Sequence, residues 1–277
     1  MKQMPHVAAA LYGFPWSILP QSHTELGLLY RSYVRGELQL APEALAASGE
    51  PSFGISYVAN HAEGIAVLSL EGVITKRAPE MFCGPKLVDL AKLDAVIDDV
   101  AADTAIETVV FDWSSPGGMV IGLQETAERI RELAEVYDKR IIAYTDFQCC
   151  SAGYYLAAAA DEIYAAPSAV IGSIGTYCAG LDDSRAWEMD GMELILAKSG
   201  SLKAMGHPGK PWTDEERAWL QEKATTAGSE FRNWVTARRP QIANETMEGQ
   251  WFFAKEAPSL TDGFYRDLPA LLADLMH

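Results

Sequence analysis

Ser151 opens the run Ser151-Ala152-Gly153-Tyr154-Tyr155, at the junction where the strand-like segment Arg140 to Thr145 gives way to an apolar helical run, Ala152 to Ala160. A serine there has its hydroxyl held at a backbone turn, beside the free N–H groups of a helix start. That placement suits a nucleophile, although helix-start serines commonly serve as N-caps. Upstream, Gly117 and Gly118 in Ser115-Pro116-Gly117-Gly118 follow a strand that ends near Asp112. Pro-Gly-Gly makes a tight turn on its own account. The missing Cβ atoms also let a main-chain N–H approach a substrate oxygen. With a second donor near Ser151, two such N–H groups would form an oxyanion hole. The chemistry these residues could do is nucleophilic acyl transfer.

A nucleophilic serine needs a base. Of the five histidines, only His207 follows Ser151 within the core, in the loop Gly206-His207-Pro208-Gly209. A triad of Ser151, His207 and Asp112 is one arrangement. The other uses a lysine, which serves as base only where burial brings its pKa well below about 10.4. Lys203 ends Ser199-Gly200-Ser201-Leu202-Lys203, with Lys198 and Lys210 as local competitors. By itself Lys203 also reads as a solvated loop residue.

The elements around these residues alternate. Ile65 to Leu70 reads as a strand ending near Gly72. Leu87, Leu90, Leu93, Val96, Ile97 and Val100 recur at helical spacing. Further strands are predicted over Ile106 to Phe111, Arg140 to Thr145, Glu162 to Ala165 and Met192 to Ala197, with a helix over Ile121 to Val136. This order implies parallel strands joined by crossover helices, with ligands at the carboxyl ends of the strands. Thr213, with Glu216 three residues on, forms a capping box for a long polar helix to about Arg239. Residues 1–60 differ, with one helix over Thr24 to Glu37 and a loop-rich stretch after it. They read as an N-terminal arm, and residues 61–277 as the main domain.

Composition narrows the class. The chain has 277 residues and a formal charge of −16, which argues against general nucleic-acid binding. Its four cysteines contain no C-x-x-C pair, so neither a zinc ribbon nor a dithiol redox site is supported, and free thiols in a reducing compartment are the simpler reading. No run of about 18 apolar residues occurs, so no spanning helix is expected. The expectation is a cytoplasmic protein with no metal and no cofactor.

Taken together, these segments resemble the signal peptide peptidase A family of serine peptidases, from about Gly64 to Leu268. Ile65 to Ile74 looks like the family's opening strand, and Ser114-Ser115-Pro116-Gly117-Gly118 like its oxyanion turn. Ser151 to Tyr155 matches its nucleophile motif, and Ala169 to Gly175 its next signature. Ser199 to Lys203 falls where the family carries its base, and Trp251 to Ala257 resembles a late segment. The resemblance implies an α/β fold of the ClpP/crotonase type: a parallel sheet with crossover helices, here with a small N-terminal arm. It implies a Ser-Lys dyad, with Ser151 as nucleophile, Lys203 as base and Ser173 orienting the lysine. It puts Gly118, with Gly117 beside it, and Ala152 at the oxyanion hole. It also implies a homo-oligomer acting on peptide or protein substrates.

The arm, with Pro15-Trp16-Ser17-Ile18-Leu19-Pro20, looks more like the soluble relatives that tailed phages use in head maturation. Those relatives imply a capsid or scaffold substrate in the host cytoplasm or prohead. Two other classes fit the same fold: a crotonase-type acyl-CoA enzyme, and a non-catalytic assembly or scaffold protein.

Overall fold

The computed structural model describes residues 11–12, 14–34, 54–77 and 86–277. The main sheet runs in the order β12-β10-β8-β6-β3-β2. Its centre is parallel: β3 (Ile65–Glu71), β6 (Thr108–Ser115), β8 (Arg140–Cys150) and β10 (Val170–Gly172). β9 (Glu162–Ala165) pairs with the first half of β8, and β13 (Gly263–Phe264) with β9. Antiparallel strands close both edges, β2 (Ile55–Asn60) on β3 and β12 (Trp251–Phe253) on β10. The fold is therefore mixed α/β on a parallel core, as the strand–helix alternation predicts.

Both faces of the sheet are covered, which is why Val109, Val110 and Phe111 are consecutive and all buried. On one face lie α2 (Leu90–Ala102) and α3 (Leu123–Glu135). α2 buries Leu90, Leu93, Ile97 and Val100, and α3 buries Leu123, Ala127, Ile130 and Leu133. Each such aliphatic side chain contributes about 1.5–3 kcal/mol. On the other face α7 (Leu268–Leu275) packs Leu271 against Ile65, Val110, Ile142 and Tyr144.

A smaller sheet, β11-β1-β7-β4-β5, stands at the carboxyl ends of the main strands. It comprises β1 (Pro15–Ile18), β4 (Val73–Thr75), β5 (Leu87–Asp89), β7 (Gly117–Met119) and β11 (Tyr177–Cys178). The remaining helices are α1 (Pro20–Val34), α4 (Ala152–Ala157), α5 (Ser184–Met189) and α6 (Asp214–Arg238). α6 has the anticipated capping box: the Glu216 N–H bonds Thr213 Oγ1 and the Thr213 N–H bonds the Glu216 carboxylate.

Three expected elements differ. Leu87 to Asp89 fit a helical spacing but form a strand on β4; the Asp89 carboxylate then accepts the Ala91 N–H at 2.9 Å and starts α2 three residues later. The arm's helix begins at Pro20, not Thr24, because Pro suits a first helical turn; residues 35–37 of its expected end lie outside the described residues. Met192 to Ala197 is not a strand, and Ile195 is 91% exposed. The place beside β10 that such a strand would need is filled by β12.

Candidate active site

Ser151 sits between β8 and α4 with φ +55° and ψ −117°, a left-handed conformation that a non-glycine residue rarely adopts. Holding it there costs roughly 1–3 kcal/mol. The surrounding backbone fixes it: the Ser151 N–H donates to the Gly172 carbonyl at 2.8 Å, and its carbonyl accepts the Tyr155 N–H at 2.9 Å. The side chain makes no capping bond, so the N-cap explanation for this serine fails. Among the described residues its hydroxyl reaches the Gly175 carbonyl, at 3.5 Å, and the residue is 1% exposed.

The glycine turn lies against it. Gly117 has φ +106°, and a Cβ placed on it would stand 2.9 Å from Ser151 Cβ and 2.2 Å from the Ser17 carbonyl oxygen. A Cβ on Gly118 would stand 2.0 Å from the Ile74 carbonyl oxygen. Both positions therefore exclude any side chain. The Gly117 N–H is held by Ser115 Oγ at 3.2 Å, and Ser115 Oγ in turn donates to the Gly72 carbonyl at 2.7 Å. Ala152, the first residue of α4, is fully buried behind Ser151.

A cavity of about 370 Å³ opens on this point, lined by Ser151, Ser173, Gly175, Ile18 and residues of α6. Ser173, also at positive φ (+51°), enters it from the end of β10, its N–H held by the Gln250 carbonyl at 2.8 Å. Ser151, Ser173 and the two glycines are thus brought together. Lys203 is not. It is exposed, in a turn closed by its N–H to the Gly200 carbonyl at 3.1 Å, and the described lining of the cavity contains no lysine or histidine.

The competing bases are elsewhere. Lys210 is buried against the Glu216 carboxylate at 2.5 Å and the Pro211 carbonyl at 2.9 Å. Burial pushes the Glu216 carboxyl up, but the Lys210 ammonium and the Thr213 N–H outweigh it and hold it below the usual range. His207 is exposed and bonded to the Pro208 carbonyl, while Asp112 accepts from Ser69 Oγ at 3.2 Å. The triad arrangement is therefore absent among the described residues.

The sequence reading missed two charged residues in the cavity wall, Arg232 on α6 and Glu248 after it. No local signal marks either. It also missed β1 as part of the site. The Trp-Ser-Ile run framed by Pro15 and Pro20 was the available sign of a short strand.

Residues 134–261 match Peptidase family S49, in line with the resemblance seen in the sequence. Among its relatives are a "Putative signal peptide peptidase SppA" of Enterococcus faecium and "Capsid assembly protease C" of Escherichia phage lambda. The first is 31% identical over 66% of this chain and 53% of that protein; the second is 29% identical over 86% and 56%. The chain spans about half the length of the curated relatives it matches.

Among solved structures, it is similar to a mutant form of the "1510-N membrane-bound stomatin-specific protease" (16% identity, 76% of this chain and 82% of that one, TM-score 0.44). It is also similar to an enoyl-CoA hydratase/isomerase from Marinobacter aquaeolei (12%, 80% and 74%, TM-score 0.46). Among the described residues no helix is long and apolar enough to cross a membrane, and no cluster of metal-ligating side chains occurs.

Proposed function

We propose that this chain is a serine endopeptidase with Ser151 as nucleophile and Lys203 as general base. The observation that carries the reading is the strained, uncapped Ser151 set directly against the side-chain-free Gly117 turn. Ser151 Oγ attacks a peptide carbonyl and loses its proton to Lys203. The N–H groups of Gly118 and Ala152, with Gly117 giving room, hold the developing oxyanion. Lys203 passes its proton to the leaving amine, then activates the water that frees the acyl group. Ser173 orients the lysine amine. In this reading residues 61–277 are the peptidase domain and residues 1–60 its arm.

Lys203 has to leave solvent for this chemistry. It follows α5 in a long stretch without helix or strand; Met189 at the end of α5 and Met192, Ile195 and Leu196 on that stretch are exposed. Apolar side chains grouped on one segment support a surface that becomes covered. The reading is that assembly into a homo-oligomer, or bound substrate, covers this segment and sets Lys203 beside a serine. A capsid or scaffold protein as substrate, in a host cytoplasm or prohead, draws on the likeness to the capsid assembly protease.

The exposure of Lys203 also favours a second reading, an inactive scaffold of the same fold. Labelling with a fluorophosphonate separates the two. Covalent label on Ser151, absent in Ser151→Ala, together with cleavage of an unfolded protein substrate, is the expected result. No label and no cleavage in any oligomeric state favours the scaffold. Acyl-CoA binding without label favours the crotonase-type enzyme.

A further inference from the structure

The edges that flank Ser151 are already occupied, and by the chain itself. β1 lies antiparallel to β7 on one side, with Trp16 opposite Met119, Ser17 opposite Gly118 and Ile18 opposite Gly117. On its other side it lies antiparallel to β11, with Pro15 opposite Cys178 and Trp16 opposite Tyr177. The Leu19 N–H adds a bond to the Pro116 carbonyl at 2.9 Å. β7 is the strand that leaves the glycine turn, and β11 follows Ser173 by a few residues.

An extended peptide commonly binds by adding a strand to an exposed sheet edge, where main-chain bonds supply the register. Next to Ser151 that edge belongs to β7 and β11, and β1 fills the space between them. Its fit is close. The Ser17 carbonyl oxygen and Ser151 Cβ both lie within 3 Å of the point where a Gly117 Cβ would sit. Ser17 Oγ donates to the Gly175 carbonyl at 2.6 Å, the same oxygen that Ser151 Oγ reaches at 3.5 Å. Ile18 lines the cavity at Ser151. Trp16 is buried with its ring 5.3 Å from that of His23, which also packs on Tyr177.

We infer that Pro15–Ile18 is a built-in substrate-mimicking strand, and that protein substrates enter the Ser151 site as extended segments by replacing it. The inference rests on the peptidase reading above and adds its regulation: the enzyme is held closed until β1 is pulled away.

The pairing of Pro15 with Cys178 supplies a lock. Antiparallel partners have Cα atoms about 4.5–5.5 Å apart, which a disulfide spans. Cys149 and Cys150 are buried, so Cys178 is the more accessible partner among the described thiols. The protein tested is Pro15→Cys with Cys83→Ser, which removes the thiol outside the described residues. Cleavage of carboxymethylated casein and fluorophosphonate labelling of Ser151 are measured after oxidation and again after reduction. The disulfide is confirmed by peptide mass.

The expected result is at least tenfold slower cleavage in the oxidised form, restored by reductant, and faster cleavage than the parent in Trp16→Ala, which loosens the strand. Equal cleavage by locked and reduced protein overturns the inference and leaves the peptidase reading standing. Failure of the disulfide to form also overturns it, because β1 is then not held beside β11. Absence of both labelling and cleavage in every form overturns the peptidase reading itself, and the inference with it.

Discussion

The carbonyl oxygen of Ser17 and the Cβ of Ser151 face each other across the space that Gly117 leaves empty. A residue from the start of the chain is thereby placed at the centre of a site built by β6, β8 and β10, much further along. The contact exists because Gly117 has neither a side chain nor an ordinary backbone conformation.

That geometry makes Gly117→Ala a sharp test. The new methyl would meet the Ser17 carbonyl at 2.2 Å and Ser151 at 2.9 Å, on a backbone at φ +106°. Something must move, and the turn that aims the Gly118 N–H is the part least able to stay in place. Loss of a single oxyanion donor lowers kcat by about 10²–10³. The same change costs roughly 1–3 kcal/mol of stability from backbone strain. Steady-state cleavage and a thermal melt measure the two. A variant with unaltered kcat/KM would show that the turn has no part in catalysis.

The lysines separate by what each one touches. Lys203 is exposed, so Lys203→Ala should change stability by no more than about 0.5 kcal/mol. It should nonetheless reduce cleavage at least a hundredfold. Lys210→Ala should do the reverse. It strands the buried Glu216 carboxylate, a loss of about 3–5 kcal/mol for a broken buried pair, while Ser151 labelling in the protein that still folds is kept. Full activity in Lys203→Ala would remove that residue from the mechanism.

How far the sequence reveals this site depends on the range of the interactions. Ser151, Gly117 and Gly118 are legible because each is a local backbone requirement: a strand–helix junction and a turn that admits no Cβ. The capping box of Thr213 and Glu216 is local in the same way. Leu87 to Asp89 mislead because Val73 to Thr75, far away in sequence, offers them a strand partner that periodicity does not register. Met192 to Ala197 mislead for the converse reason, since Trp251 to Phe253 takes the edge they would have joined. Arg232, Glu248 and Ile18 of β1 reach the cavity through tertiary packing.

A pH test comes from the middle of β6. Burial pushes the Asp112 carboxyl up to about 6; the Ser69 bond pulls the other way, and nearby Asp146 adds to the rise. In an unfolded chain an aspartate titrates near about 3.9. Between these values the folded protein holds a proton that the unfolded chain has lost, so stability falls as pH rises through the window. The penalty is absent below the lower value and complete above the upper one. Asp112→Asn removes the charge and can still accept the Ser69 hydroxyl. Discounted for the partial exposure of the group, the gain at neutral pH should be about 1 kcal/mol, or roughly 2–4 °C in Tm. It should vanish near about pH 3, where the carboxyl is largely protonated in the folded and the unfolded chain alike. Thermal melts of both proteins, in a Ser151→Ala background to prevent self-digestion, give the comparison. An equal gain at both pH values would mean that Asp112 keeps an ordinary carboxylate's titration and that the stabilisation has another source.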